Sequence, residues 1–197
     1  MSARLVLLDS GGANIGSVRA AFARLGVEAP VSSDAGQIRR ATHVVLPGVG
    51  TAAAAMRRLR ENGLDRLIPT LTQPLLGICV GMQLLFERSQ EGDCECLGLL
   101  PGSVQRLPQA PGIRSPHMGW NRVRLQGEHP LLRDQAQAWF YFVHSYAALP
   151  DTHTVATCTH GETFSAAVAQ ERIMGVQFHP ERSGPAGAAL LKNFLAI

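Results

Sequence analysis

Short apolar runs typical of buried strands alternate with helix-period segments in the first half of the chain, and this alternation constrains the fold most. RLVLLD, THVVLP and PLLGI each predict a strand, and a segment with helical spacing of apolar residues follows each of them. The segment after RLVLLD is the clearest, because Ile15, Val18, Phe22 and Leu25 recur at helical intervals. Continuous apolar strands that alternate with helices are typical of a parallel sheet covered on both faces. We therefore expect an α/β fold with a doubly wound, mainly parallel sheet.

The remaining segments extend this prediction along the chain. VEAPV predicts a further short strand, and helices are expected over residues 52–59, over CVGMQLLFERS and over residues 185–194. After Pro101 the pattern changes to shorter β-forming stretches, which we expect to add antiparallel strands in the C-terminal half. A length of 197 residues matches the roughly 100–200 residues of one domain, so a single domain over residues 1–197 is expected. The β-forming stretches are VQRL, WNRVRL, WFYFVHSY, HTVATC, TFSAAVA and IMGVQF.

Composition argues against two classes of partner. The chain has 18 Lys and Arg against 15 Asp and Glu, for a net charge of only +3, and its arginines are scattered, so no nucleic-acid partner is expected. No apolar stretch approaches the roughly 18 residues of a membrane span. The apolar run in MSARLVLLDS is too short for a signal peptide. We therefore expect no membrane association and a cytoplasmic protein with reduced cysteines.

Three of the four cysteines are weak candidates for a metal site. Cys94 and Cys96, together with Cys158 and His160, lack the CxxC or HxxxH spacing usual in zinc sites. We expect structural roles for these side chains, no metal site and no cofactor.

Cys79 lies where the apolar run PLLGI ends and a helical pattern begins, between Gly77 and Gly81. A nucleophile in a G-x-nucleophile-x-G turn takes a strained backbone conformation, and flanking glycines avoid collisions with the neighbouring strand and helix. The helix N-terminus that follows favours thiolate over thiol. A cysteine after an apolar strand is also commonly a buried apolar side chain. Cys79 is therefore a candidate nucleophile that still needs a base.

His179 is the candidate base among seven histidines. It ends the strand-like IMGVQF and precedes Pro180, which favours extended geometry. In an extended segment Glu181 projects to the same side as His179, where a carboxylate can fix the imidazole tautomer. Oxyanion donors are expected from the backbone N–H of Val80 and from Val49 in LPGVG, whose flanking glycines allow that peptide to point into the site or away from it.

The motifs PGVG, GICVGMQ and HPE occur in this order, which resembles the class I glutamine amidotransferases with a catalytic triad. Within that family, DSGGANIGSV, LPGVGTA, PHMGWN, FYFVHSY and GVQFHPERSG resemble the glutaminase subunits of imidazole glycerol phosphate synthases. The resemblance implies that Cys79 attacks the side-chain amide of glutamine, with His179 as general acid and base and Glu181 as its orienter. A glutamyl thioester would form with release of ammonia, and water would hydrolyse it to glutamate.

The resemblance also implies a glutamine pocket, in which Val49 and Val80 supply the oxyanion N–H groups. For Gln83 the alternative is a solvent-facing position on a helix. The residues expected to bind glutamine are Gly48, Gly50, Gln83, His144, Ser145 and Tyr146.

The implied partner is a separate (β/α)₈-barrel cyclase subunit that forms a heterodimer with this chain. It would use the ammonia to form imidazole glycerol phosphate and aminoimidazole carboxamide ribotide in histidine biosynthesis. The resemblance suggests Asn14, Trp120, Tyr141 and Arg182 at the interface. For Trp120 and Tyr141 the alternative is core packing.

Other functions fit the same three residues. The chain could be the glutaminase subunit of an anthranilate or aminodeoxychorismate synthase, although PHMGWN argues against that pathway. It could also be a free-standing γ-glutamyl cysteine hydrolase, which the partner-like segments disfavour, or a non-enzymatic relic of the fold, which the presence of all three residues disfavours.

Overall fold

The computed structural model describes residues 3–11, 14–108 and 112–197. Six α-helices and fourteen strands are found within these residues, together with 3₁₀ turns at Ile68–Thr70, Pro130–Leu132 and Pro180–Arg182. The helices are α1 (Ile15–Arg24), α2 (Ala35–Arg40), α3 (Ala52–Glu61), α4 (Leu64–Leu67), α5 (Val80–Gln83) and α6 (Gly184–Phe194). The strands are β1 (Leu5–Leu8), β2 (Val31–Ser32), β3 (His43–Gly48), β4 (Leu75–Cys79), β5 (Arg88–Ser89), β6 (Cys94–Glu95), β7 (Ser103–Arg106), β8 (His117–Arg122), β9 (Arg124–Leu125), β10 (Trp139–His144), β11 (Tyr146–Ala148), β12 (Thr154–His160), β13 (Glu162–Gln170) and β14 (Ile173–Val176).

The largest sheet has eight strands in the order β2-β1-β3-β4-β14-β13-β12-β9. The five strands from β2 to β14 pair in parallel, and β13, β12 and β9 continue the sheet in antiparallel fashion. Every residue of β1, β3, β4 and β14 is buried. Strands buried on both faces are what a doubly wound parallel sheet requires. The expected fold, with antiparallel strands added in the C-terminal half, is confirmed.

Two smaller sheets complete the fold. One joins β11, β7, β5 and β6, and the other is the antiparallel pair of β8 and β10. In this pair His117 lies opposite His144, and Trp120 lies opposite Tyr141. We call the β8–β10 pair the ribbon.

The predicted helix over CVGMQLLFERS is wrong in its length. Helix α5 ends at Gln83, and β5 begins at Arg88. The intervening Leu84, Leu85 and Phe86 are all at most 1% exposed. A segment buried all round has no solvent face, so its apolar residues reflect core packing and not an amphipathic helix. No helix among the described residues has the length and apolar character needed to cross a membrane.

Candidate active site

The turn at Cys79 is built by close backbone packing. Cys79 ends β4 with a φ of 54°, a positive value that a non-glycine residue rarely adopts. A Cβ added at Gly77 would meet the carbonyl oxygen of Gly81 at 2.6 Å, and one added at Gly81 would overlap the carbonyl of Leu46 in β3. Both glycines therefore let β3, β4 and α5 approach one another. The side chain of Cys79 is held at the start of α5, at the carboxyl end of the parallel strands.

The LPGVG segment reaches the same point from the neighbouring strand. Gly48 is the last residue of β3 and pairs with Cys79 of β4. A Cβ at Gly48 would collide with the backbone of Gly81 and Val80, so this glycine serves close packing, and it is not among the residues lining the cavity described below. Val49 and Gly50 do line that cavity, and Gly50 has a φ of 85°. A left-handed glycine beside Val49 permits more than one orientation of the connecting peptide.

His179 and Glu181 meet as the sequence predicts, although the geometry differs from the expected extended strand. The Nδ1 atom of His179 lies 2.7 Å from Oε1 of Glu181. Residues Pro180–Arg182 form a 3₁₀ turn, so the turn, and not β alternation, brings the carboxylate back to the imidazole. The side chain of Glu181 is fully buried, and that of His179 is 4% exposed. Asn14 donates a short hydrogen bond from Nδ2 to the same Glu181 oxygen.

The surroundings of His179 favour its protonated form. Burial by itself lowers the pKa of His179, but the neighbouring Cys79 sulfur and the Glu181 carboxylate more than offset it and raise the pKa to about 10. The Nε2 atom is buried and has no hydrogen-bond partner among the described residues. Glu181 therefore holds His179 at Nδ1, and the proton on Nε2 stays available for transfer. An imidazolium beside a thiol stabilises the thiolate.

Cys79 and His179 line one cavity of about 380 Å³. It is large enough for an amino acid of the size of glutamine and is lined on one side by the turn at Cys79 and on the other by residues of β10 and β11. The residues that line it are Asn14, Val49, Gly50, Cys79, Val80, Gln83, Glu91, Pro116, Val143, His144, Ser145, Tyr146, His179 and Arg182.

Gln83 connects the two sides of the cavity. Its side chain is 2% exposed, so the alternative of a solvent-facing helix residue is wrong. Its Nε2 atom donates to the carbonyl oxygen of Tyr146 at 2.8 Å and to Oε1 of Gln177 at 3.0 Å. Gln177 in turn directs its Nε2 toward the Cys79 sulfur at 3.8 Å. An amide donor at this sulfur favours negative charge on it.

Sequence reasoning missed Glu91 and Gln177. Glu91 lies on the loop between β5 and β6, lines the cavity, and accepts a hydrogen bond at 2.8 Å from the backbone N–H of Ala52 at the start of α3. No local motif surrounds it. Gln177 is fully buried beside β14, and a polar side chain within an apolar strand pattern is the signal that would have identified it.

The four residues suggested for a partner interface occupy two kinds of position. Trp120 is 52% exposed on the ribbon and packs edge-on against Tyr141 with ring centroids 6.3 Å apart. Core packing is therefore wrong for Trp120. Asn14 and Arg182 line the cavity, where Asn14 is partly buried and Arg182 is exposed. Tyr141 connects the ribbon to the cavity, because its backbone carbonyl accepts a hydrogen bond from the backbone N–H of His179 at 2.9 Å.

The remaining cysteines lie outside the cavity. Cys94 and Cys96 bring their sulfurs within 3.9 Å of each other, and burial first and then Cys94 raise the pKa of Cys96 to about 12. Burial also raises the pKa of Cys158 to about 12. Thiols with such pKa values are poor nucleophiles at neutral pH. Within the described part of the chain no group of three or more His, Cys, Asp or Glu is arranged to hold a metal ion.

Known proteins match this chain along nearly its full length. The model of the family "Glutamine amidotransferase class-I" matches residues 6–197. The imidazole glycerol phosphate synthase subunit HisH of Xylella fastidiosa is 55% identical over 194 residues, which cover 98% of this chain and 97% of the relative. The same subunit of Xanthomonas euvesicatoria is 54% identical over 194 residues, which again cover 98% of this chain and 97% of the relative. These relatives favour the imidazole glycerol phosphate synthase reading over the anthranilate synthase alternative.

Solved structures share the fold at low sequence identity. A glutamine amidotransferase has a TM-score of 0.74 at 18% identity and covers 98% of this chain and 99% of its own. PurLQS from Thermotoga maritima has a TM-score of 0.73 at 18% identity and covers 100% of this chain and 99% of its own.

Proposed function

This chain belongs to the class-I glutamine amidotransferase family and, within it, to the HisH subunits of imidazole glycerol phosphate synthase, and from that premise we propose how it works. It is the glutaminase of the synthase in histidine biosynthesis, and it hydrolyses glutamine with Cys79, His179 and Glu181 as a catalytic triad. We further propose that it does so in the cytoplasm as one domain over residues 1–197.

One observation supports the triad above all others. Cys79 and His179 line the same cavity, and Glu181 is bonded to the far nitrogen of His179. The three residues come from two parts of the chain about 100 residues apart in sequence, and the fold unites them at the carboxyl ends of β4 and β14. Nucleophile, base and orienter in this order are the arrangement that acyl transfer requires.

The proposed reaction proceeds through a thioester. The Cys79 thiolate attacks the side-chain carbonyl carbon of glutamine, and the carbon–oxygen double bond opens to an oxyanion. His179 donates the Nε2 proton to the departing nitrogen, so the C–N bond breaks and ammonia leaves. Neutral His179 then takes a proton from water, whose oxygen attacks the thioester. Collapse of this second intermediate expels the Cys79 thiolate and releases the side-chain acid, which loses its proton to water and leaves as glutamate while His179 remains imidazolium.

Val49 and Val80 are the proposed donors to the oxyanion. Both line the cavity beside Cys79: Val49 follows β3, and Val80 is the first residue of α5, directly after the neighbouring strand β4. Gly50 has the conformational freedom to let the Val49 peptide turn toward the site. A donor that is present only in one orientation would switch the chemistry on and off, since one such donor is worth roughly 10²–10³ in rate.

The cavity also carries groups suited to the rest of glutamine. We propose that the Glu91 carboxylate attracts the α-ammonium group, since it is the one carboxylate side chain among the lining residues given above. Gln83, Gly50, His144, Ser145 and Tyr146 would contact the remainder of the substrate. The backbone amides of residues 144–146 and the Gln83 side chain would orient the amide toward Cys79.

The proposed partner is a (β/α)₈-barrel cyclase subunit that docks on the ribbon and forms a heterodimer with this chain. Met118, Trp120 and Trp139 are 63%, 52% and 52% exposed on neighbouring ribbon strands. Large exposed apolar side chains gathered on one surface are typical of protein interfaces. Asn14 and Arg182 at the cavity mouth would complete the interface. Because the Tyr141 carbonyl holds the His179 backbone, docking on the ribbon acts next to the base.

Direct delivery explains why the two activities would share a complex. Ammonia released into water at neutral pH is protonated and loses its nucleophilicity. A partner that covers the cavity mouth at Asn14 and Arg182 would receive neutral ammonia before that happens.

Reconstitution with the cyclase tests this function. Glutamate release by the chain alone is compared with release by the complex, and the cyclase product is measured with glutamine and with ammonium salts. The proposal expects glutamine-dependent product only from the complex and ammonium-dependent product from the cyclase alone. Equally fast glutamine turnover with and without the partner would contradict partner control.

A further inference from the structure

Two buried histidines face each other on the inner side of the ribbon. His117 of β8 and His144 of β10 are 4% and 6% exposed. Nδ1 of His117 lies 3.1 Å from Nε2 of His144, and Nδ1 of His144 lies 2.8 Å from the carbonyl oxygen of Tyr146. The adjoining residues Met118 and Trp120 belong to the exposed face proposed for the partner. Strand β8 therefore presents Met118 and Trp120 outward and His117 inward, where His117 meets His144 of β10.

Only one arrangement of protons satisfies all of these contacts with neutral rings. The Tyr146 carbonyl can only accept, so Nδ1 of His144 carries a hydrogen and its Nε2 accepts. Nδ1 of His117 must then donate to His144, and its Nε2 accepts from Nδ2 of Asn121 at 3.3 Å. Burial lowers the pKa of His117 to about 4 and that of His144 to about 3. Both rings are therefore neutral at pH 7, as the contacts require.

The chain of hydrogen bonds continues into the cavity. The Tyr146 carbonyl that accepts from His144 also accepts from Gln83 at 2.8 Å, and Gln83 bonds to Gln177, which approaches the Cys79 sulfur. His144 itself lines the cavity together with Tyr146, whereas His117 is absent from the lining. His117 therefore contacts the cavity wall through His144 and does not itself line the cavity.

We infer that His117 is a positioning residue for glutamine binding, which acts through His144 to hold the Tyr146 carbonyl and residues 143–146 in the shape that the substrate needs. Because His117 lies on the same strand as Trp120, it also links the surface proposed for the partner to the glutamine pocket. The inference rests on the proposed glutaminase function and assigns a role within it that the triad does not supply.

His117 also has a packing role, and the two roles predict different behaviour. Its ring stacks on His160 with centroids 4.2 Å apart and on Phe142 at 4.9 Å. Phenylalanine at position 117 keeps an aromatic ring but has no donor. Asparagine loses the ring, yet its amide nitrogen is the same number of bonds from the backbone as Nδ1 of histidine and can donate to His144. The pair His117→Phe and His117→Asn therefore separates hydrogen bonding from packing.

The test measures glutamine kinetics of the complex reconstituted with the cyclase. Loss of one buried hydrogen bond predicts that His117→Phe raises KM for glutamine about tenfold, while kcat changes by less than about threefold. His117→Asn is expected within about threefold of the wild type in KM. Unchanged KM in His117→Phe, or equal impairment in both variants, would overturn the positioning role.

A second variant covers the case in which His117→Phe does not fold. Asn121→Leu removes the donor to Nε2 of His117 at a partly exposed site and is expected to raise KM about twofold to threefold. Glutamine affinity is also measured by calorimetry in a Cys79→Ala background, where no turnover occurs, and the dissociation constant should rise in parallel with KM. A wild-type complex that neither binds nor hydrolyses glutamine contradicts the proposed function, whereas normal turnover with unaltered KM in these variants contradicts only the role of His117.

Discussion

The two walls of the cavity depend on different interactions. The wall at Cys79 is held by backbone atoms in direct contact, where Gly48, Gly77 and Gly81 leave no room for a Cβ. The opposite wall, at residues 143–146, lies on strands that pair with β8 and β7, and side-chain hydrogen bonds from Asn121 through His117 and His144 add to that pairing. Backbone contact fixes the nucleophile to a single position. A hydrogen-bonded wall can be altered one contact at a time.

Because of this difference, we expect the wall at Cys79 to serve catalysis and the opposite wall to serve glutamine binding. Catalysis needs the sulfur and the oxyanion donors within a few tenths of an ångström of their productive places, and close packing supplies that precision. Affinity for glutamine and response to a partner need a surface that can shift by small amounts. We propose that the wall at residues 143–146 has these two functions, because the neighbouring ribbon carries Trp120 on its outer face and His117 on its inner face.

The largest effect is expected at the nucleophile. Cys79→Ala should lower glutamine-dependent activity of the complex by roughly 10⁴–10⁶-fold, because no other group can form the thioester. Product formation from ammonium salts should be unchanged, and that measurement serves as the internal control. Cys94→Ala is the matched variant, since its sulfur lies outside the cavity, and it should retain wild-type turnover. Retained glutaminase activity in Cys79→Ala would refute the assignment.

The orienting carboxylate should give the next largest effect. Glu181→Gln removes the charge that holds His179 and should lower kcat roughly 10²-fold. It should also lower the pKa of His179, because the carboxylate is one of the groups that raise it. The measurement is the pH dependence of kcat together with the imidazole titration followed by NMR. Glu28→Gln at an exposed site is the control. A His179 titration that stays at its wild-type position would contradict the role of Glu181.

Glycine substitutions test the close-packed wall through stability. Gly81→Ala should destabilise the chain by about 3 kcal/mol, since backbone atoms cannot yield to the added methyl group. Gly16 in α1 has nothing within 4 Å of an added Cβ, so Gly16→Ala should stabilise the chain by about 0.5–1 kcal/mol through helix propensity. Thermal unfolding of both variants measures the contrast. Equal changes in the two melting temperatures would mean that the wall is less tightly packed than described.

The smallest effect is a dependence of stability on pH at the ribbon. The pKa of His117 falls from 6.5 to about 4 on folding. Between these values the unfolded chain binds a proton that the folded chain does not, so stability is lost as the pH falls from 6.5 toward 4. His144 and His160 face the same ring, and repulsion from His160 adds to the lowering of the His117 pKa. The melting temperature of the wild type should therefore fall more steeply over this range than that of His117→Asn, whereas parallel curves would exclude His117 as the source.

The sequence predicted the residues around Cys79 better than the contacts behind the opposite wall, at residues 143–146. Strand alternation and the glycines around Cys79 are local signals, and they predicted the sheet and the turn at Cys79. Short strands such as β5 and β6 have only two residues each, too few for a period to show. Glu91 reaches the cavity from the loop between them, so no pattern along the chain could identify it.

The contact between His117 and His144 could not be predicted from the sequence for a related reason. His117 and His144 are 27 residues apart in sequence and become partners only through the register of β8 on β10. The family resemblance places His144 in the pocket, but no pattern along the chain identifies His117 behind it. The meeting of His179 with Glu181 was predicted for a strand and is achieved by a 3₁₀ turn, since Pro180 ends the extended segment.

Covalent trapping of the nucleophile tests the central claim most directly. The complex is treated with an electrophilic glutamine analogue, with and without excess glutamine, and the modified cysteine is identified by mass spectrometry. The account predicts a single adduct on Cys79 that glutamine prevents, because Cys79 alone of the four cysteines lines the cavity. Modification of Cys94, Cys96 or Cys158 in its place, or a Cys79 adduct that forms equally fast in the presence of glutamine, would contradict it.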